Sequence, residues 1–83
     1  MIKFLFFAQL ADDVGSATIC FDHIEGQSVQ DYLQQLVDDR PNLKASLLDD
    51  DSPLVSVNQK LASRADTLSD GDEVGMLPPF SGG

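Results

Sequence analysis

The sequence predicts an α+β fold in which one main helix crosses a mixed β-sheet. Short apolar segments with strand-like alternation flank a single long segment of helical periodicity. The chain has 83 residues, the size of one domain with one small core. Hydrophobic residues make up 42% of it and charged residues 23%, a balance typical of a folded protein rather than a disordered one. We therefore expect a single domain over residues 1–83.

The first predicted strand covers residues 2–8, a Phe-rich segment that suits a strand largely covered on both faces better than a helix. Successive residues of a strand point to opposite faces of its sheet. Ile2, Phe4, Phe6 and Ala8 therefore share one face, and Lys3, Leu5 and Phe7 share the other.

A second strand is predicted over residues 17–22, where β-branched side chains resume. The intervening residues 9–16 have room for a helical turn, which Gly15 and Ser16 would end. The two strands are expected to pair as a hairpin.

The long helix begins after Ser28, which can cap the free amides of its first turn while Asp31 places negative charge near the positive helix end. It ends at Arg40, because Pro41 disfavours helical geometry in the preceding residue. Residues 42–48 have room for another helical turn. The apolar stripe that should pack on the sheet consists of Val29, Tyr32, Leu33, Leu36 and Val37.

Three further strand segments follow the helix. An acidic loop over residues 49–53 leads to a short strand at 54–57, and residues 60–61 can return as a brief strand. A tight turn at 69–72 precedes the last strand at 73–77. The order ββαββ with one long helix is typical of the ubiquitin-like β-grasp fold.

The C-terminal residues 78–83 are expected to form a flexible, projecting tail. Pro78 and Pro79 lack backbone donors, so ladder pairing must end before them. Gly82 and Gly83 add no side-chain bulk, so this end can enter a channel too narrow for other residues. The reactive group that such a tail presents is its terminal carboxylate.

The composition excludes several classes of function. The formal net charge of −9 opposes docking to nucleic acid or to an anionic membrane, so partners should present basic surfaces. A single cysteine rules out an intramolecular disulfide, a Cys-rich zinc site and the four-thiolate cluster of a plant-type ferredoxin. A reducing cytoplasm fits best. The apolar opening is interrupted by Gln9 and Asp12, so neither a signal peptide nor a membrane span is expected.

Four segments carry a resemblance to a known family: residues 2–9 (IKFLFFAQ), 57–59 (VNQ), 68–74 (LSDGDEV) and 78–83 (PPFSGG). A Gly-Gly ending alone is weak evidence, but the combination is specific. Together the segments resemble the small subunit of molybdopterin synthase, a ubiquitin-like sulfur carrier, and the resemblance spans the whole chain.

This resemblance implies a two-stage chemistry. An adenylating enzyme similar to the ubiquitin activators would use ATP to join the Gly83 carboxylate to AMP, and a sulfur donor protein would then convert it to a thiocarboxylate. The large synthase subunit would use that sulfur to build the dithiolene of molybdopterin on a cyclic pyranopterin precursor. Such a carrier is not catalytic alone, holds no stable cofactor or metal, and joins a dimeric large subunit in a heterotetramer.

The resemblance also implies which residues meet the partners. Residues at positions 7, 61 and 77 help to form an apolar patch that contacts both the adenylating enzyme and the large subunit. Alternation independently places Phe7 and Leu77 opposite the helix-covered face; the alternative is a second small core under the loops. Position 11 is often basic in the family but is Ala11 here. The implied partner-binding residues are Phe7, Leu61, Leu77, Pro78, Pro79, Phe80 and Ser81, with Gly82 giving access and Gly83 carrying the reacting carboxylate.

Other chemically capable residues have plainer interpretations. His23 is expected to be a solvated loop histidine, and Cys20 an inert lone thiol rather than the sulfur donor. Residues 49–51 are three aspartates without the alternating oxygen ligands and distal Glu of an EF-hand, so a solvated turn is expected.

Three alternative functions stay open at this point. A sulfur carrier for thiamine thiazole synthesis is the nearest, although such relatives are usually shorter and generally lack the Pro-Pro-Phe approach to the glycines. A protein modifier would use the same terminal activation but form isopeptide-linked products. A simple β-grasp interaction module would tolerate the loss of Gly83.

Overall fold

The computed structural model describes residues 1–78. Over that range the chain forms the predicted elements in the predicted order, including the brief strand expected at residues 60–61, which completes a hairpin with β3. The elements are β1 (Ile2–Phe6), α1 (Gln9–Val14), β2 (Thr18–Phe21), α2 (Val29–Asp39), β3 (Leu54–Val57), β4 (Lys60–Ala62) and β5 (Glu73–Leu77). The helical turn expected over residues 42–48 is present as a 3₁₀ turn at Pro41–Leu43 and a π-helical segment at Ala45–Asp49.

The strands form one mixed sheet in the order β2-β1-β5-β3-β4. β1 and β5 pair in parallel, and the other neighbours are antiparallel. With α2 across it, this sheet confirms the predicted α+β, β-grasp architecture. Because β1 and β5 run in the same direction, their carboxyl ends lie at the same edge of the sheet.

The core lies between α2 and one face of the sheet. All five residues of the predicted helix stripe are buried. They pack with the sheet residues Ile2, Phe4, Phe6, Phe21, Val55, Val74 and Met76, each less than a tenth exposed. Tyr32 is fully buried, and its hydroxyl is satisfied by the backbone of Ile24, which donates from its amide at 2.8 Å.

One expectation for the first strand is wrong. Residues 2–8 were predicted to be covered on both faces, but the helix covers one face, and Lys3 and Phe7 on the other are exposed. The strand also ends at Phe6, and Ala8 is exposed rather than buried, because Ala8 adopts a positive φ of 52° as the chain turns into α1. An apolar composition shows that a strand can be covered but not where the covering elements lie.

The beginning of α2 confirms the capping prediction. The Ser28 hydroxyl accepts a hydrogen bond from the Asp31 amide at 3.3 Å, and the Asp31 carboxylate accepts one from the Ser28 amide at 3.0 Å. This reciprocal pair is a capping box, with aspartate in the position where glutamate is more common. At the other end the helix stops before Pro41, as predicted.

Replacing Ser28 with alanine is expected to destabilise the protein by about 1 kcal/mol, because the amide of the first helical turn loses its acceptor. For a domain of this size that lowers the melting temperature by about 4–8 °C. Thermal unfolding followed by circular dichroism measures it. Ser69→Ala is the matched control, since Ser69 donates its backbone amide to the Asp72 carboxylate, a hydrogen bond that alanine can also make. An equal fall in both variants would contradict the capping role.

Two of the segments behind the family resemblance have structural roles. Asn58 and Gln59 have positive φ values of 51° and 69°, as a two-residue hairpin turn between β3 and β4 requires. The Asn58 side chain donates to Asp72 at 3.0 Å and accepts from the Glu73 amide at 3.1 Å. The VNQ turn and the Asp-Gly-Asp-Glu turn thus hold each other, and together they fix the start of β5.

Candidate functional site

The face of the sheet opposite α2, which we call the open face, carries the candidate site. Its side chains alternate along each strand with those of the core, and the cross-strand pairs show which of them are neighbours. The open face presents Lys3 and Leu5 from β1, Thr18 and Cys20 from β2, Leu54 and Ser56 from β3, Leu61 from β4, and Glu73, Gly75 and Leu77 from β5.

An apolar patch occupies one end of the open face, where β1 and β5 finish. Phe7 follows β1, and its amide continues the ladder by donating to the Met76 carbonyl at 3.1 Å. Its side chain is 44% exposed, and that of Leu61 is 80% exposed. We define the open-face patch as Leu5, Phe7, Leu54, Leu61 and Leu77; Leu5, Leu54 and Leu77 are half-buried.

The register brings these residues together. Leu54 pairs with Leu77 across β3 and β5. A second row, Leu5-Gly75-Ser56-Leu61, crosses four strands beside it. Phe7, Leu61 and Leu77 therefore lie opposite the helix-covered face, as alternation predicts for Phe7 and Leu77. The buried hydrophobic residues of residues 1–78 form one core cluster, and none of the open-face residues Leu5, Phe7, Leu54, Leu61 and Leu77 belongs to it.

Gly75 lies at the centre of this surface. A Cβ atom placed on it would lie 3.5 Å from Phe7 Cε2 and 3.6 Å from Leu77 Cδ1. The Phe7 ring and the Leu77 side chain thus converge over the β5 backbone.

The point where the C-terminal segment leaves the sheet adjoins the patch. Leu77 is the last residue of β5, and the half-buried Pro78 follows it. Pro78 also lines a cleft of about 290 Å³ together with Leu10, Asp13, Asp50 and Pro53, among others. The predicted site residues Pro79, Phe80, Ser81, Gly82 and Gly83, which are the predicted tail beyond Pro78, lie outside the described residues.

The other end of the open face is charged. Lys3 and Glu73 are cross-strand partners there, so opposite charges lie side by side on the sheet. Near this end the N-terminal ammonium of Met1 pairs with Asp70. That hydrogen bond lowers the pKa of the Asp70 carboxyl below its ordinary value.

Much of the small positive charge of this chain is used internally. Arg40 donates to the Val14 carbonyl at 3.0 Å, and Arg64 donates to the carbonyls of Leu47 and Asp50. Lys44 pairs with Asp49 at 2.7 Å. The exposed carboxylates therefore dominate the charge that an approaching partner meets.

The remaining chemically capable residues do not gather into a site. Cys20 is exposed on β2, where its cross-strand partner is Lys3. His23 is half-buried rather than fully solvated, because its Nε2–H donates to the Leu68 carbonyl at 3.2 Å. Asp50 is exposed and accepts hydrogen bonds from Ser52, which lower the pKa of its carboxyl. Among residues 1–78 no group of His, Cys, Asp and Glu could hold a metal ion.

Comparison with known proteins shows which family the chain belongs to. The model of the ThiS family matches residues 4–83. The chain belongs to the ThiS family. It is 39% identical over 83 residues to the molybdopterin synthase sulfur carrier subunit of Escherichia coli K12, with 100% of both chains covered. The resemblance read from the four sequence segments is thereby confirmed.

Other members of the ThiS family and their structures extend this likeness. The chain is 35% identical over 82 residues to small archaeal modifier protein 1 of Haloferax volcanii, covering 93% of this chain and 94% of that one. The crystal structure of SAMP1 from Haloferax volcanii matches with a TM-score of 0.83 at 32% identity, covering 99% of this chain and 98% of that one. The β-grasp fold is thus shared along nearly the full length. In the described part of the chain, no helix is long and apolar enough to cross a membrane.

Proposed function

We propose that this protein is the sulfur-carrier subunit of a molybdopterin synthase. The observation that carries the proposal is the full-length similarity to a molybdopterin synthase sulfur carrier subunit in a chain that ends in Gly-Gly. The geometry supports it, because the exposed open-face patch adjoins the sheet edge from which Pro78 leads toward Gly83. The patch thus lies beside Pro78, the residue from which the chain continues to Gly83.

The chemistry begins at the Gly83 carboxylate. A carboxylate is a poor electrophile, because its charge resists attack and oxide is a poor leaving group. An adenylating partner that binds ATP joins the carboxylate to AMP, with loss of pyrophosphate, which removes the charge and supplies a stabilised leaving group. A sulfur donor protein then supplies sulfur at the oxidation level of sulfide, which attacks the acyl carbon and displaces AMP, and Gly83 becomes a thiocarboxylate.

The folded domain serves as a handle for that sulfur. Tethering a soft nucleophile to a protein that docks specifically replaces the diffusion of free sulfide by positioning. The large subunit of the synthase receives the thiocarboxylate and uses its sulfur to form the dithiolene on a cyclic pyranopterin precursor. In this scheme Gly82 lets the chain end pass through a narrow channel, since it adds no side chain.

The open-face patch, through Phe7, Leu61 and Leu77, contacts the adenylating enzyme and the large subunit in turn. Pro78, Pro79, Phe80 and Ser81 contact the same partners along the approach to the glycines. Because one surface serves both, the two partners compete for it. The carrier works in the cytoplasm without a stably bound cofactor, and two copies join a dimeric large subunit in a heterotetramer.

The decisive measurement is the intact mass of the protein, purified without a C-terminal tag, after incubation with the adenylating enzyme, ATP and a sulfur source. We expect one oxygen to be replaced by sulfur, and fragmentation should place the sulfur at Gly83. The charged protein, mixed with the large subunit and the pyranopterin precursor, should then yield molybdopterin. A product unchanged in mass, or sulfur located at Cys20, would contradict the proposal.

A second candidate is a protein modifier, which the similarity to small archaeal modifier protein 1 favours. The same activated Gly83 would then be transferred to a lysine amine rather than to sulfur. Isopeptide-linked products, detected by mass spectrometry of cell extracts as Gly-Gly remnants on lysines, separate this function from sulfur transfer.

Association with either partner is expected to be steered by charge, because a body of net charge −9 meets basic docking surfaces. The association rate constant should fall by roughly tenfold or more as the Debye length shrinks from about 30 Å at 0.01 M salt to about 3 Å at 1 M. Stopped-flow measurements at several ionic strengths test this. The dissociation rate should change much less, and a flat association rate would contradict steering.

A further inference from the structure

Gly75 is unusual among the four glycines of residues 1–78. Gly15, Gly26 and Gly71 have positive φ values, the backbone region that favours glycine, whereas Gly75 does not and lies in the middle of β5. Glycine weakens a strand interior, because it is entropically costly and provides no side chain to pack. A glycine in such a place therefore points to a close approach over its backbone rather than to a turn.

The approach over Gly75 comes from three side chains of the open face. A Cβ atom at Gly75 would lie 2.5 Å from Ser56 Oγ, 3.5 Å from Phe7 Cε2 and 3.6 Å from Leu77 Cδ1. The first contact is too close, but it involves a hydroxyl that can rotate away. The other two are ordinary van der Waals distances, so a methyl group fits against the ring and the leucine once Ser56 has turned.

A branched side chain is expected to meet the ring and the leucine. The two γ-carbons of valine extend about one C–C bond beyond Cβ, and Phe7 Cε2 and Leu77 Cδ1 already lie at contact distance from that Cβ, so we expect them to be crowded. The Phe7 ring would have to lift from the sheet or Leu77 would have to rotate. Because Phe7 is already 44% exposed, lifting it costs less burial than it would for a core residue.

We propose that Gly75 is a positioning residue that lets the Phe7 ring and Leu77 lie side by side as one continuous surface, against which a partner packs. This inference rests on the proposed role of the open-face patch in docking. Gly75 touches no partner itself in this scheme, since it is buried beneath the side chains that it positions. The matching partner surface is apolar and broad rather than a single inserted side chain, because the space over Gly75 is already filled.

A graded pair of variants tests the proposal through binding of the large subunit. Gly75→Val should weaken binding by roughly tenfold or more, the loss expected when a central apolar contact of an interface is disrupted. Gly75→Ala should weaken binding distinctly less, because an alanine side chain requires only the Ser56 hydroxyl to move. Gln35→Ala, on the exposed side of α2, is the unrelated control and should bind as the wild type does. Equal affinities for Gly75→Val and the wild type would overturn the proposal.

A double-mutant cycle separates positioning from direct obstruction of the partner. If Gly75 acts through the Phe7 ring, the effect of Gly75→Val should shrink when Phe7 is already replaced by leucine, so the two effects are not additive. A full, additive effect in the Phe7→Leu background would mean that valine itself blocks the partner, and it would overturn the positioning role.

A measurement on the free protein keeps the test independent of the proposed function. The Leu77 methyl resonances should report the adjacent Phe7 ring, and Gly75→Val should shift them before any partner is added, whereas Gly75→Ala should shift them less. Unchanged methyl resonances would overturn the inference. If the wild type does not bind the large subunit, the proposed function fails, and the methyl resonances still decide whether Gly75 positions the ring.

If Gly75→Val does not unfold cooperatively, a second variant decides. Phe7→Ala combined with Gly75→Val removes the ring that valine would meet. Recovery of cooperative unfolding supports the close approach at Gly75, and continued loss would overturn it.

Discussion

Deleting Gly83 is expected to abolish sulfur transfer completely while leaving the fold unchanged. The reason is chemical, because the proposed reaction takes place at the carboxylate of that residue. The fold should persist because, within residues 1–78, the core residue furthest along the chain is Met76, and β5 ends at Leu77. Mass spectrometry after incubation with the adenylating partner, ATP and a sulfur source measures the transfer, and thermal unfolding measures the fold.

Two further changes at the same end should have the same effect. A residue appended after Gly83 moves the carboxylate away from the nucleotide. Gly82→Ile adds a β-branched side chain and restricts the backbone where glycine does neither, so the chain end should no longer pass through a narrow channel. Both variants should unfold at the wild-type temperature.

Side chains elsewhere provide the matched controls. Cys20→Ser and His23→Gln should retain sulfur transfer, because Cys20 lies on the edge strand β2 and His23 is engaged with the Leu68 carbonyl. Normal transfer by a protein with a blocked C-terminus, or loss of transfer in Cys20→Ser, would show that the reacting atom lies elsewhere.

The faces of the strands could be predicted from the sequence because alternation is a local property of the backbone. Phe4 and Phe7 are both aromatic, yet alternation along the strand assigns Phe4 to the core and Phe7 to the open face. The structure agrees. The same holds for Met76 and Leu77. The helix cap at Ser28 is equally local, since a serine and an aspartate three residues apart determine it.

What the sequence could not give is the register between strands. Leu54 belongs to the candidate site because it pairs with Leu77, and Gly75 belongs to it because it pairs with Leu5 and Ser56. Such pairings join residues that are far apart in the chain. Alternation within residues 54–57 could have placed Leu54 on the open face. No local signal could have shown that Phe7 lies over Gly75, because the 67 residues between them carry no periodicity that links β1 to β5.

Replacing Phe7 or Leu77 with glutamate is expected to weaken binding to both the adenylating enzyme and the large subunit, by roughly tenfold or more, without unfolding the protein. Phe7 is 44% exposed and Leu77 is half-buried on a face that α2 does not cover, so a carboxylate there can stay hydrated in the free protein. In the complex it would be removed from water against apolar groups, at a substantial cost in free energy. Titration calorimetry with each partner, alongside thermal unfolding, measures both consequences.

The association and dissociation rate constants, measured separately, distinguish this loss of apolar contact from a change in electrostatic steering. Glutamate adds negative charge to a protein that already attracts basic surfaces, so the association rate should not fall, and the loss of affinity should come from faster dissociation. Phe4→Glu is the contrasting control: its side chain is fully buried between the sheet and α2, and the variant should lose cooperative unfolding. If Phe7→Glu or Leu77→Glu unfolds in the same way, that residue supports the core. If both fold and bind as the wild type does, the partners dock on another surface of the sheet.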